Sequence, residues 1–100
     1  MDFAYLEGFA AGDREVVAEV LAMYLEQAAL WQARLTPPAD DWGDVVHTIK
    51  GASRGIGANA LGDHCERMEA GGPDGIAEVL AALAETVVAV ETYLARDSGR

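Results

Sequence analysis

Apolar residues recur at spacings of three and four along most of this chain, which is the pattern of amphipathic α-helices. The clearest stripe lies in the last third of the chain, at Ile76, Val79, Leu80, Leu83, Val87, Val90 and Leu94. An earlier stripe runs through Val17, Val20, Leu21, Tyr24, Ala28, Trp31 and Leu35. No segment shows the sustained alternation of a strand, and no Asn-Gly hairpin signal occurs. The pattern therefore predicts an all-α protein.

Residues that start and stop helices divide the chain into five predicted helices. Asp13 suits an N-cap, and Asp74 is placed to cap the last helix. The segment 36–39 must end the second helix, because its two prolines lack a backbone donor and restrict the residue before them. Asp40 and Asp41 favour the positive end of the third helix. The predicted helices cover residues 3–9, 14–35, 42–56, 59–70 and 76–94.

The length and the helix pattern together predict the architecture. One hundred residues are enough for one domain with a single core. Four long amphipathic helices with short connections imply an antiparallel, up-down four-helix bundle, with the short extra N-terminal helix closing one end. We predict a single domain over residues 1–100 that acts as a monomer. The initial Met1 and the lack of a flanking linker favour a free-standing protein.

The charge of the chain excludes one class of function. It carries 17 acidic and 7 basic residues, a formal net charge of −10, whereas nucleic-acid binding needs a basic surface. No apolar run is long enough to cross a bilayer, and the N-terminus lacks the pattern of a secretory signal. A single cysteine, Cys65, rules out an internal disulfide and suits a reducing compartment. We therefore expect a cytoplasmic protein.

One histidine lies on the wrong face for a core residue. On a helix over residues 42–56, with about 100° between successive residues, one face gathers Trp42, Val45, Val46, Ile49, Ala52, Ser53 and Ile56. His47 falls almost opposite that face, beside Gly51 and Arg54, with Lys50 at the flank. An imidazole there is open to a partner, the glycine does not obstruct approach, and two cations lie near. This is the arrangement that an exposed phosphate acceptor needs.

Residues 47–57, with the sequence His-Thr-Ile-Lys-Gly-Ala-Ser-Arg-Gly-Ile-Gly, resemble the motif of histidine-containing phosphotransfer (HPt) domains. That motif is a histidine, any residue, an apolar residue, Lys-Gly, two small residues, two variable positions, an apolar residue and a glycine. The similarity continues through Leu61, Cys65, Met68 and Glu69. The helix order, the proline-containing connection and the length also agree, so the resemblance covers nearly the whole chain.

The resemblance implies a phosphorelay intermediate of two-component signal transduction, with a sensor or hybrid histidine kinase and response-regulator receiver domains as partners. It implies phosphorylation of His47 at Nε2, neutralisation of the phosphoryl oxygens by Lys50, and room for the receiver at Gly51. Glu69 matches the position whose side chain, in chemotaxis histidine kinases, hydrogen-bonds the acceptor imidazole. Arg54, two turns from His47 on the same face, is interpreted as a phosphate or partner contact.

The chemistry expected at His47 needs groups from two proteins: the imidazole from this chain and a divalent metal from the partner. A neutral imidazole, with an ordinary pKa of about 6.5, is a competent nucleophile near neutral pH. A carboxylate that accepts from Nδ1–H leaves the Nε2 lone pair free. Phosphoryl transfer usually needs a divalent metal, but the His47 face has no acidic cluster for Mg²⁺ and the chain has no nucleotide-binding loop. We therefore expect a phosphoryl carrier, not an enzyme, without a cofactor or metal of its own; the receiver would dock on the apolar surface around His47 and supply Mg²⁺.

Other interpretations of these residues are weighed against this one. Residues 51–57 also spell a dinucleotide-binding fingerprint, but that motif needs a preceding strand and a βαβ unit. His47, His64 and Cys65 have no standard zinc spacing, so His64 is expected at the bundle edge and Cys65 in the core. The two cations near the motif are ordinary solvated charges if its histidine is not an acceptor. The alternative function is a non-phosphorylated helical adaptor that docks a signalling protein through the same face.

Overall fold

The structure is a computed structural model that describes residues 1–98 of the chain. Its five α-helices are α1 (Phe3–Phe9), α2 (Arg14–Arg34), α3 (Trp42–Gly55), α4 (Asn59–Gly71) and α5 (Ile76–Ser98). A short 3₁₀ turn, Pro73–Gly75, joins α4 to α5, and the described residues form no strand beyond one isolated bridge between Leu35 and Pro38. The all-α prediction is confirmed. Residues 99 and 100 of the predicted domain lie outside the described residues.

The limits of α2 follow from local sequence. The carboxylate of Asp13 caps the helix by accepting the backbone N–H groups of Glu15 at 3.1 Å and Val16 at 3.3 Å, as predicted. The helix ends before the two prolines. Asp41 occupies the N-cap position of α3, but its side chain makes no capping bond and pairs with Arg34 instead. An ion pair therefore closes the connection between α2 and α3.

Four helix ends differ from the prediction: α2 ends at Arg34 rather than at residue 35, and α5 continues to Ser98 rather than ending at residue 94. α3 ends at Gly55 rather than at residue 56, and α4 continues to Gly71. Gly72 follows with a φ of 94°, a conformation that favours glycine, and the chain then enters the 3₁₀ turn. Asp74, predicted to cap α5, lies inside that turn. The cap prediction was wrong because the turn begins at the proline before it.

One core runs through the bundle, with α3 packed against α4 and α2 against α5. Its fully buried side chains include Leu21, Val46, Ile49, Leu61, Cys65, Met68, Val79, Leu83 and Val90. Leu6 of α1 is buried with them. The predicted bundle with an extra N-terminal helix is confirmed. Within residues 1–98, no helix combines the length and the apolar character that membrane crossing requires.

A polar pair in the core joins α2 to α3. The hydroxyl of Tyr24 lies 2.8 Å from Oγ of Ser53, and both residues are buried. Burial raises the pKa of Tyr24 to about 12, against a smaller lowering by the Ser53 bond. Since both groups are shielded from water, each needs the other as a hydrogen-bond partner. The pair therefore joins the buried face of α3 to α2.

Candidate functional site

α3 presents His47 to solvent. Val46 and Ile49 are fully buried in the core, and the helical rotation of about 100° per residue then turns the side chain of His47 away from it. That side chain is 70% exposed. The predicted outward position of His47 is confirmed.

Glu69 of α4 lies against the imidazole. Its Oε2 is 3.2 Å from Nδ1 of His47, which is the contact that the family resemblance implied. A carboxylate can only accept, so Nδ1 carries a proton and donates it to Glu69. In a neutral ring Nε2 then keeps its lone pair, which is the form of the imidazole that acts as a nucleophile.

Lys50 binds the second oxygen of the same carboxylate. Its Nζ lies 2.9 Å from Oε1 of Glu69, and the lysine side chain is only 20% exposed. The Lys50 bond is the main cause that lowers the pKa of Glu69 below its ordinary value of 4.5; partial burial opposes it, and the His47 bond adds to it. Glu69 is therefore ionised at neutral pH, and it holds the imidazole and the ammonium together.

Gly51 leaves open space one turn beyond the imidazole. A Cβ built at Gly51 would meet no atom of another part of the described chain within 4 Å. The residue is helical and exposed, and a glycine inside a helix costs about 1 kcal/mol relative to alanine. Packing among the described residues does not require glycine here, so the clearance expected beside His47 is present.

Arg54 does not join the group around His47. Its Nη2 lies 3.1 Å from Oδ1 of Asp63 and 3.3 Å from Oε2 of Glu66, both on α4. The Asp63 bond is the main cause that raises the pKa of Arg54. The arginine stem crosses Gly62, where a Cβ would lie 2.6 Å from Cγ of Arg54. Two helical turns, about 10 Å, separate Arg54 from His47 along the axis. Its role as a phosphate or partner contact stays a prediction, and the structure shows it linking α3 to α4.

Sequence reasoning did not identify Asp63 and Glu66 as partners of Arg54. A signal was present in the spacing, because Asp63, Glu66 and Glu69 follow one another at intervals of three along α4. Neighbouring helices in an up-down bundle run antiparallel. Arg54, near the end of α3, therefore contacts Asp63 and Glu66 in the earlier part of α4. Lys50, one turn earlier on α3, contacts Glu69 near the end of α4.

The described residues form neither the zinc site nor the dinucleotide-binding site that the sequence analysis weighed. Among residues 1–98, no group of three His, Cys, Asp or Glu side chains is placed to hold a metal ion. His64 is partly exposed, with Nδ1 2.8 Å from Nη2 of Arg67. Cys65 is buried in the core, and burial raises the pKa of its thiol to about 11. Residues 51–57 form the end of α3 and the turn after it, whereas a dinucleotide fingerprint would follow a strand.

Comparison with protein families identifies the relationship over most of the chain. The family model described as the Hpt domain matches residues 14–94. The chain belongs to the Hpt domain family. This Hpt domain is similar to the crystal structure of the histidine phosphotransferase ShpA from Caulobacter crescentus, with 52% sequence identity and a TM-score of 0.87. The similarity covers 97% of this chain and 92% of that chain.

The resemblance inferred from the motif is thus confirmed at the level of the family. A comparison with curated proteins gave no match for this Hpt domain. Helix α1 lies outside residues 14–94, so the family model does not cover it.

Proposed function

We propose that this Hpt domain is a phosphorelay intermediate that works through His47. The residue accepts a phosphoryl group on Nε2 and exchanges it with the aspartate of response-regulator receiver domains. The observation that carries the proposal is an imidazole with 70% of its side chain exposed and its Nδ1 held by Glu69 at 3.2 Å. Family membership supports the relay, and this geometry supports the choice of residue.

The proposed transfer exchanges one bond to phosphorus for another. The Nε2 lone pair of His47 attacks the phosphorus of an aspartyl phosphate; the N–P bond forms as the P–O bond breaks, and the aspartate leaves as a carboxylate. The Nδ1 proton stays on the ring, so positive charge develops on the imidazole. The Glu69 carboxylate is already in place to offset that charge. Transfer from His47 to a receiver uses the same groups in the opposite order.

Lys50 is the proposed cation for the phosphoryl oxygens. In the unphosphorylated chain its ammonium is bound to Glu69 at 2.9 Å. Its four-carbon stem is flexible, and a phosphoryl group on His47 brings negative charge that competes with Glu69 for the ammonium. Lys50 therefore turns from the carboxylate towards the phosphoryl group as transfer proceeds.

The partner supplies the remaining catalytic groups in this proposal. Glu69, the carboxylate bound to the acceptor ring, is already occupied by two cationic or donor groups. The described residues contain no acidic cluster that fits Mg²⁺. Mg²⁺ and the catalytic acids therefore belong to the receiver, and a sensor or hybrid histidine kinase is the source of phosphate. The Hpt domain acts as a monomeric cytoplasmic carrier rather than as an enzyme.

Label transfer from phosphorylated receivers tests the proposal. Incubation with the receivers of the source organism should place an acid-labile, base-stable phosphate on the chain. His47→Gln should abolish the label while helical content, measured by circular dichroism, stays unchanged. His64→Gln is the matched control, because it removes the other histidine and should leave labelling intact. Receiver binding without any label would favour the adaptor, and label that survives in His47→Gln would contradict the site.

A further inference from the structure

Arg54 of α3 crosses α4 at Gly62. The glycine is buried, and the arginine side chain above it is 37% exposed. A Cβ at Gly62 would lie 2.6 Å from Cγ and 2.7 Å from Nε of Arg54, whereas packed carbon atoms stay about 3.5–4.0 Å apart. The absence of a side chain at this position therefore lets the arginine stem lie directly on α4.

The guanidinium of Arg54 lies between two carboxylates of α4. Its Nη2 is 3.1 Å from Oδ1 of Asp63 and 3.3 Å from Oε2 of Glu66. Three residues of α4 separate these carboxylates by about 4.5 Å along the helix axis. Sliding of α4 along α3 in either direction would lengthen one of the two bonds. The contact therefore opposes displacement of α4 both ways.

The two helices extend this constraint to the acceptor. On α4, Glu69 lies three residues beyond Glu66, and on α3, His47 lies about two turns before Arg54. Hydrogen bonds along each helix make such short segments move as units. The bond between Glu69 and Nδ1 of His47 is 3.2 Å long, which is the upper limit for an N–H···O bond. A slide of one residue, about 1.5 Å, would break it.

Lys50 also holds Glu69, but the proposed transfer removes that contact. Its Nζ is 2.9 Å from Oε1 of Glu69 in the unphosphorylated chain. When Lys50 turns to the phosphoryl group, the carboxylate keeps only its bond to the ring. Arg54 lies about 10 Å from His47 along the axis, so its own bonds to α4 persist through the transfer.

We propose that Arg54 is a positioning residue for phosphoryl transfer at His47 and that it acts through Glu69. Its bonds to α4 fix the register of the two helices, so the carboxylate stays on Nδ1 while Lys50 turns away. The proposal rests on the proposed function and extends it to a residue that touches neither the ring nor the phosphoryl group. It is an alternative to the phosphate or partner contact predicted from the sequence, and the two roles predict different kinetics.

Arg54→Gln should leave the stability of the fold nearly unchanged. The side chains of Asp63 and Glu66 are 59% and 63% exposed, and ion pairs that water reaches contribute little to stability. Circular dichroism and urea unfolding check this point. A large loss of stability would make Arg54 a structural residue and would overturn the positioning role.

The tautomer of the neutral His47 ring reports the position of Glu69 in the unphosphorylated chain. In ¹⁵N NMR, Arg54→Gln should raise the share of the ring with its proton on Nε2. Arg54→Lys should restore most of the Nδ1–H form, because an ammonium can bind the same carboxylates. Arg67→Gln is the matched control, since it removes an arginine of α4 whose bond to His64 stays within that helix.

Transfer kinetics with a phosphorylated receiver show whether Arg54 acts through Glu69. In Arg54→Gln the rate at saturating receiver should fall by about three- to tenfold, as small misplacements of reactive groups cause, with KM changed by less than about twofold. In a Glu69→Ala background, Arg54→Gln should slow transfer no further, because the second residue acts through the first. A direct contact with phosphate or receiver would instead raise KM or add to the loss.

Two sets of variants test the crossing itself. Gly62→Ala should push the arginine stem aside and produce the same tautomer shift as Arg54→Gln. In an Arg54→Ala background the space is open, so Gly62→Ala should add nothing. Replacing Asp63 by Asn and Glu66 by Gln together should also reproduce Arg54→Gln, whereas either replacement alone leaves the arginine one partner.

The outcomes distinguish the inference from the function on which it rests. If Arg54→Gln leaves either the tautomer or the transfer rate unchanged while His47 is labelled normally, the inference alone is overturned. Additive losses in the double variant with Glu69→Ala would assign Arg54 to a direct contact, which also overturns it. A chain that no receiver labels overturns the inference together with the proposed function.

Discussion

The carboxylate of Glu69 lies 3.2 Å from Nδ1 of His47, across the contact between α4 and α3. This contact gives the two ring nitrogens different tasks. Nδ1 donates its proton to a fixed acceptor, and Nε2 keeps the lone pair that the proposed phosphoryl transfer uses. A side chain on a neighbouring helix therefore sets the tautomer of the proposed acceptor.

Glu69→Ala should remove the preference of His47 for the tautomer with its proton on Nδ1. With the imidazole in its neutral form, ¹⁵N NMR should show His47 with its proton on Nδ1 in the unmodified chain, and a larger share of Nε2–H in the variant. Phosphoryl transfer should slow by at least about tenfold, by analogy with the loss of a partner that orients a metal-bound histidine. Glu66→Ala is the control, since Glu66 is a carboxylate of α4 that binds Arg54 instead. Equal tautomer populations in Glu69→Ala and the unmodified chain would refute the orienting role.

Lys50→Ala should raise the pKa of Glu69 towards 4.5, since the Lys50 bond is the main cause of its lowering. A carboxyl whose pKa is lower in the folded state stabilises the fold above its unfolded pKa, and this contribution is lost as pH falls through the folded pKa. The variant should therefore be less stable at neutral pH, by no more than about 1 kcal/mol for a partly exposed pair, and equally stable in acid. NMR titration of the Glu69 carboxyl carbon and urea unfolding at both pH values measure the two effects.

The same Lys50→Ala variant should also transfer phosphate more slowly, because a cation near the phosphoryl oxygens is lost. Arg67→Ala removes a cation of α4 that binds His64, and it should change neither the Glu69 titration nor the transfer rate. A Lys50→Ala variant that loses its fold would show that the lysine is structural.

Gly51→Gln should separate docking from folding. The new side chain enters open space, and replacing a glycine within a helix should leave stability unchanged or raise it by up to about 1 kcal/mol. Receiver affinity should fall, because the side chain stands in the approach to His47. Gly71→Gln, at another open helical position, is the control for both stability and binding. Equal receiver affinity in Gly51→Gln would refute the clearance argument.

Gly57 and Gly55 form a matched pair at the end of α3. Gly57 has a φ of 87°, and a Cβ there would collide with the carbonyl oxygen of Asp2, whereas Gly55 is helical and open. Gly57→Ala should lower the free energy of unfolding by at least about 1–2 kcal/mol and speed hydrogen exchange in α1. Gly55→Ala should be neutral or stabilising. Equal stability of the two variants by chemical denaturation would contradict this account of the turn.

Local features of the fold were predictable from the sequence. The buried positions of α3 define one face of that helix, so the outward position of His47 follows from periodicity within a single segment. The cap at Asp13 likewise depends on residues only two and three positions away. The contact with Glu69 was expected only through the family resemblance, because it joins residues on different helices.

Features that depend on the placement of one helix against another were not predictable in this way. Arg54 was interpreted from its spacing as a phosphate or partner contact, which stays a prediction; its ion pair with Asp63 of α4 was not foreseen, and it forms where the arginine stem crosses Gly62. The placement of α1 was not predictable either, since it depends on a ring contact between Phe3 and Tyr93 at opposite ends of the chain. Periodicity assigns a face to each helix and leaves their relative register undetermined.

The most direct test of the account is to locate the phosphoryl group on the chain. After incubation of the ¹⁵N-labelled Hpt domain with a phosphorylated receiver, ¹⁵N and ³¹P NMR identify the ring atom bonded to phosphorus. The account predicts phosphorus on Nε2 of His47, with Nδ1 still protonated and hydrogen-bonded to Glu69. Phosphorus on His64, on Nδ1 of His47 or on a carboxyl group would contradict it.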